Sequence, residues 1–184
     1  MKRLQQFALL ALVLLSALYR VEAQEVKASS ALLEAFGKTN ILDEERRQRV
    51  ISLLSQDTTL ILPLDLELDA ELVAFSDRTL RLKTSAVGSW ELRLLPLLNG
   101  SSLTSVIERV TRPQADARIT FLDQEGEVIK TEIVALPTAE DFLRSLQLPE
   151  TSSGYRLREL LRPLHYQLSW ADGQADVLLV TPSL

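Results

Sequence analysis

From Leu60 onward, leucines and charged residues alternate along the chain with a period of two. In PLDLELDAELVAF, Leu64, Leu66, Leu68, Ala70 and Leu72 fall on one side, and Asp65, Glu67, Asp69 and Glu71 on the other. Successive side chains of a strand point to opposite faces, so the pattern predicts one long strand with a wet face. Ser76-Asp77-Arg78 follows as a turn, and TLRLK resumes the rhythm with Leu80 and Leu82 inward. A turn centred on Asp77 sets Val73 opposite Arg81 and Glu71 opposite Lys83, which pairs an acidic strand with a basic one.

The same rhythm runs through SWELRLLPLLNGSSLTSVIERV. Trp90, Leu92 and Leu94 alternate with Glu91 and Arg93, a half-buried strand. Pro96 cannot donate to a ladder and points to an edge or a bulge. Asn99-Gly100 tolerates positive φ and marks the reversal. Val106 and Val110 then straddle Glu108 on one face, with Leu103 and Ile107 on the other, and Arg112-Pro113 ends that strand. ARITFLD supplies a third strand, Gln124-Glu125-Gly126 a turn, and EVIKTEIVAL a fourth. Four strands with short connections read as an antiparallel meander.

Helical spacing flanks this region. After Ser30, ALLEAFG places Leu32, Leu33 and Phe36 on one face, with Gly37 suited to a left-handed cap. Thr39-Asn40 opens a second helix, ILDEERRQRVISLLSQD, whose acidic first turn suits the helix dipole. Thr138 and Asp141 have a capping-box spacing before AEDFLRSLQ, and Pro149 closes that short helix. YRLRELLR is a helical turn or two, or an irregular segment, ended by Pro163. HYQLSW, the turn Ala171-Asp172-Gly173-Gln174 and ADVLLV form a closing hairpin. Residues 24–30 are polar and expected to be disordered or lightly held.

The opening MKRLQQFALLALVLLSALYRVEAQ changes the picture. A basic start, a 13-residue apolar run and a Val21-Glu22-Ala23 ending have the plan of a secretory signal. The run falls short of the roughly 20 residues a membrane-spanning helix needs. The expected division is a signal peptide at 1–23 and a single α+β domain at 24–184. Removing the leader takes away Lys2, Arg3, Arg20 and Glu22, so the formal charge moves from −5 to −7. Such a balance speaks against nucleic acid and against anionic lipid, both of which select concentrated basic surfaces.

The chain has no cysteine and one histidine. Thiol catalysis, disulfides and cysteine-ligated metals are excluded, and a zinc site would need His165 plus carboxylates. His165 shares a strand face with Gln167 and Ser169, without a nucleophile motif beside it. Asp65, Glu67, Asp69 and Glu71 are the densest carboxylates. Same-face neighbours on a strand stand roughly 6.5–7 Å apart, too far for two of them to chelate calcium unaided. The runs Glu44-Glu45-Arg46-Arg47 and Arg156, Arg158, Arg162 read as helix surface. Trp90, Trp170, Tyr155 and Tyr166 read as packing and not as a carbohydrate platform.

The order of features resembles a family of secreted proteins from Bacteroides-type bacteria, catalogued as a domain of unknown function (family 3256). The likeness rests on the signal, the helix near ERRQRVISLL, the run TLRLKTSAVGSWELRLLPLLNGSSLTSVIERV and the following TRPQADARITFLD, with Leu94 to Leu97 most distinctive. That resemblance implies a location and a fold type, and no activity.

The expectation is therefore an exported α+β protein: N-terminal helices packed on an antiparallel β-meander sheet of about six to eight strands, with a short helix before a C-terminal hairpin. It is expected in the periplasm or at the cell surface, as a noncatalytic module binding an envelope protein or glycan. No cofactor, metal or catalytic residue is expected, and sheet edges and Pro96 are where a partner strand would add. The rival is a carboxylate-based hydrolase or glycan-active enzyme using Asp141, Asp172, Glu159 or His165.

Overall fold

Ser29 decides where the first apolar run becomes a helix. Its hydroxyl accepts from the Leu32 N–H at 3.1 Å, at the start of α1 (Ser30–Gly37). This satisfies one of the donors that every helix start leaves over. Leu32, Leu33 and Phe36 form the buried face, as their spacing predicts. Gly37 is the last helical residue, and the cap is Lys38 in a right-handed conformation, so no left-handed glycine is used there. The segment just before the helix is held: Ala28 is buried and the Ser29 N–H reaches Asp77 O. The computed structural model describes residues 27–56, 60–145, 164–171 and 177–183, together with Arg156 and Glu159. The expected leader, Tyr155 and the hairpin turn at 172–174 lie outside these residues.

The second helix, α2 (Glu44–Ser55), starts later than its apolar pattern suggests, because Asp43 provides the cap by accepting from the Arg46 N–H at 2.9 Å. Ile41 and Leu42 are buried in the connection. Arg47 departs from the surface role its charge run suggests. It is buried, and its Nη1 donates to Thr39 O (2.7 Å) and Leu42 O (2.9 Å), closing the corner between the helices.

The long acidic strand is two strands. After β1 (Leu64–Asp65) the chain reverses through Glu67, Leu68 and Asp69, all at positive φ, and returns as β2 (Glu71–Phe75). The Asp65 carboxylate accepts from the Glu67 N–H at 2.8 Å, and the Leu66 N–H reaches Ala70 O at 2.8 Å. Asp side chains promote such turns by bonding the backbone two residues on. Leu66, Ala70 and Leu72 are buried as the alternation requires, but Leu68 sits at the tip, 80% exposed. Folding back keeps the apolar face while spreading four carboxylates over two strands and a turn.

Next come β3 (Thr79–Lys83), β4 (Gly88–Pro96), β5 (Ser102–Val110) and β6 (Asp116–Leu122), giving a six-stranded antiparallel meander in sequence order. Glu71 faces Lys83 as expected, but Arg81 faces Ala74, because a bulge makes Val73 an extra residue. Pro96 is neither at an edge nor in a bulge. It is the last residue of an interior strand, paired with Ser102 just before the turn that contains Gly100 at φ 82°. EVIKTEIVAL is not a fourth regular strand. Among the described residues the ladder beside β6 continues through an isolated bridge, Leu122 to Val128, flanked by the Asp123 N–H on Glu127 O and the Ile129 N–H on Phe121 O. A short helix, α3 (Ala139–Ser145), precedes the hairpin of β7 (His165–Trp170) and β8 (Leu178–Ser183).

The sheet is covered on both sides, which the alternation alone does not reveal. One face carries Leu72, Leu80, Leu82, Leu92, Leu94 and Val106, and packs with Leu32, Phe36, Val50 and Leu54 of α1 and α2. Burying each large apolar side chain contributes about 1.5–3 kcal/mol. The opposite face carries Ile107, Ala117 and Ile119, and packs with Tyr166, Leu168, Trp170, Leu178 and Val180 of the hairpin. No helix among the described residues is long and apolar enough to cross a membrane.

Candidate functional site

Of the four residues that the sequence offers to an enzyme, the structure gives bonding partners to Asp141 and His165. Asp141 completes the capping box of α3. Its carboxylate accepts from both the N–H and the hydroxyl of Thr138, at 2.8 and 2.7 Å. Those bonds hold its carboxyl below the ordinary value. Glu159 is helical and exposed, and Asp172 lies outside the described residues. His165 is placed with its Nδ1 3.3 Å from Asp116 Oδ2, and Asp116 Oδ1 accepts from the Tyr166 N–H at 3.2 Å. Burial pushes the Asp116 carboxyl up, but the Tyr166 N–H, His165 and the Ala117 N–H outweigh it and leave it lowered. The Tyr166 hydroxyl donates to Pro137 O, and burial with the charges of Asp116 and Asp141 pushes its ionisation up. Asp116 thus ties the start of β7 to β6.

Further along β7 the ties continue. Arg109 on β5 donates from Nε to Leu168 O at 2.6 Å, and Arg93 on β4 donates to Ala171 O at 3.3 Å. The Arg93 guanidinium carbon also stands 5.4 Å from the centre of the Trp170 ring, within the range of a cation–π contact. β7 therefore crosses the sheet from β6 over β5 to β4. Glu91, expected on a wet face, is 1% exposed beneath this crossing, held by Arg109 and by Arg81 (3.5 Å). A carboxylate removed from water needs such partners. This cluster fastens a layer.

The four acidic residues of the β1–β2 ribbon do not converge either. Glu67 pairs with Arg49 at 2.9 Å and Glu71 with Lys83 at 3.0 Å. Among the described residues no three His, Asp or Glu side chains form a group suited to a metal ion.

Among the described residues a concavity lies on the helix side of the sheet, beside α1. It is an open groove of about 320 Å³ between α1, the β4–β5 turn and the turn after β6. Leu94, Thr104 and Leu122, all buried, belong to its strand wall, and Ala31, Ala35 and Lys38 to its helix wall. Lys38 Nζ donates to Glu34 (2.8 Å) and across to Gln124 O (2.5 Å), fixing one end of the groove. Gly126, at φ 87°, sits so close that a Cβ there would come within 2.8 Å of Lys38 Cβ. Beside the groove, the β4–β5 turn presents Leu97 and Leu98 to solvent, the second fully exposed. The volume lies within the range of small-ligand and side-chain pockets. Sequence reading passed over these residues, since Lys38 and Gln124 are 86 positions apart. The unpaired leucines after Pro96 were the one local signal.

Comparison with known proteins agrees with the fold. No curated protein matches the sequence. Among solved structures, a domain of an uncharacterized protein from Porphyromonas gingivalis W83 is similar, with a TM-score of 0.70 at 24% identity, over 85% of this chain and 82% of that one. The family model described as Protein of unknown function (DUF3256) matches residues 21–180. The leucine meander and its distinctive Leu94–Leu97 segment are thus placed: the chain belongs to the DUF3256 family.

Proposed function

We propose that the protein is an exported, noncatalytic binding module of the periplasm or cell surface, which holds an envelope protein through the groove and the adjoining β4–β5 tip. The observation that carries this reading is the open 320 Å³ groove flanked by two solvent-facing leucines at the tip of an interior hairpin. Exposed apolar groups beside a concavity are what a partner's side chains can bury. A protein partner is favoured over a glycan because Trp170 is 4% exposed and lies against Arg93, so it offers no ring to a sugar. Strand addition is disfavoured: β1 has two residues, and the end of β6 is met by Val128 and Ile129.

Cell fractionation with N-terminal sequencing tests export; the expected mature start is Gln24, and an intact Met1 in the cytosol would refute it. A photo-crosslinking residue at Ser101 should give a discrete adduct in envelope extract that Leu98→Asp abolishes, whereas the same probe at Arg118 should give none. Equal labelling from both positions would refute the groove.

A further inference from the structure

Three pieces of chain rim the groove: α1 with Lys38, the β4–β5 turn at 97–101 and the turn at 123–127 after β6. Their charges are uneven. The first carries Glu34 and Lys38, the second nothing charged, and the third Asp123, Glu125 and Glu127. The Lys38 ammonium is already shared between Glu34 and Gln124 O. Glu125 and Glu127 are held by their backbones, since both N–H groups donate to Asp123 Oδ1, at 3.0 and 2.8 Å. Both residues are exposed, and among the described residues neither carboxylate has an ion-pair partner. Apolar surface comes from Leu97 and Leu98 of the β4–β5 turn. Besides Glu34 and Lys38, α1 contributes only Ala31 and Ala35 to the lining, so an incoming main chain can come close.

We propose that the groove takes a cationic segment of its protein partner, one that sets a lysine or arginine beside an apolar side chain. This rests on the binding role proposed above and adds the partner's chemistry to it. The apolar side chain is buried against Leu97 and Leu98, and the cation meets the carboxylates of the 123–127 turn. Ammonium and guanidinium groups form charge-assisted hydrogen bonds with such carboxylates. The net charge of −5 adds long-range attraction for a basic partner. An acidic segment would face like charges at the turn, which is how a charged rim rejects wrong partners. A bare metal ion is a poor occupant, because among the described residues no three His, Asp or Glu side chains converge to hold one.

The test uses the purified chain and three capped peptides, Gly-Ser-Xaa-Leu-Xaa-Ser-Gly, with lysine, glutamine or glutamate as Xaa, followed by amide NMR. The lysine peptide should shift the amides of Gly100, Ser101, Gln124 and Gly126. At low ionic strength it should bind about tenfold more tightly than the glutamine peptide, the scale of two or three exposed charge pairs. In 0.3 M salt, where the screening length falls to about 6 Å, that advantage should shrink to about threefold or less. The double variant Glu125→Gln, Glu127→Gln alters exposed side chains and keeps the backbone bonds of the turn. It should bring the lysine peptide to within about twofold of the glutamine peptide, whereas Leu98→Ser should weaken both alike. A glutamine or glutamate peptide that binds the groove as tightly as the lysine one would overturn the cationic assignment and leave the groove standing. Absence of those shifts with all three peptides would overturn the groove itself. A double variant that keeps the full lysine advantage would overturn the placement of the cation, and spermidine matching the lysine peptide at the same amides would overturn the polypeptide assignment.

Discussion

The two faces of the sheet are covered by different chemistry. On the helix face, leucines meet Leu32, Phe36 and Val50, and the attraction is apolar burial that needs no particular direction. On the hairpin face, part of the attachment is polar and directed: Asp116 to Tyr166, Arg109 to Leu168, Arg93 to Ala171, with Glu91 beneath. The first kind tolerates small shifts of a helix. The second fixes where each part of β7 must lie, and it draws charges into a region that water would otherwise reach. The difference teaches that a charged residue on a strand is poor evidence for a wet face when a second layer can supply carbonyls.

Substitutions can break this contrast, beginning with the largest effect. Phe36→Ala on the helix face should cost about 3–5 kcal/mol, the range for emptying a large buried site, and denaturant unfolding measures it. On the other face Glu91→Ala should cost about 3 kcal/mol, because it leaves two arginines without their shared carboxylate. If the hairpin attaches as described, that loss should appear first as faster amide exchange in β7 and only later in α1.

Acid should act in the same direction by a smaller amount. The Asp116 carboxyl is lowered from its ordinary value of 3.8, so its contribution is complete above that value and disappears as pH falls through the still lower folded value. Below about pH 4 the exchange protection of β7 should therefore drop before that of α1. Protection that is independent of pH down to 2 would remove Asp116 from the attachment. The smallest change is Arg118→Ala. Its pair with Glu108 is at the surface, so thermal unfolding should register less than about 0.5 kcal/mol.

The helix face was largely legible in the sequence, since a period of two with leucines at Leu72, Leu80, Leu82, Leu92 and Leu94 admits few other arrangements. The break at Glu67–Asp69 was not, because alternating residues look alike whether a strand runs on or doubles back after an even number of steps. Glu91 and Arg47 were misplaced for different reasons. Glu91 lies beneath β7, whose Leu168 O meets Arg109 from 59 positions away. Arg47 turns inward to the Thr39 and Leu42 carbonyls of the preceding connection, a corner that periodicity does not record. EVIKTEIVAL is rich in β-branched residues but meets β6 only near Val128, so among the described residues its strand propensity finds little to pair with. The groove was invisible because its opposing walls come from residues near 35 and near 123.

The diagonal run of β7 over three strands has a mechanical consequence. Tension applied through β8 would load the Arg93, Arg109 and Asp116 fastenings in succession, as a zip is opened, and not all together as in sheared parallel ribbons. Resistance to stretching would then be set by the strongest individual tooth, so the hairpin can be lifted by modest force while the helix-backed layer remains intact.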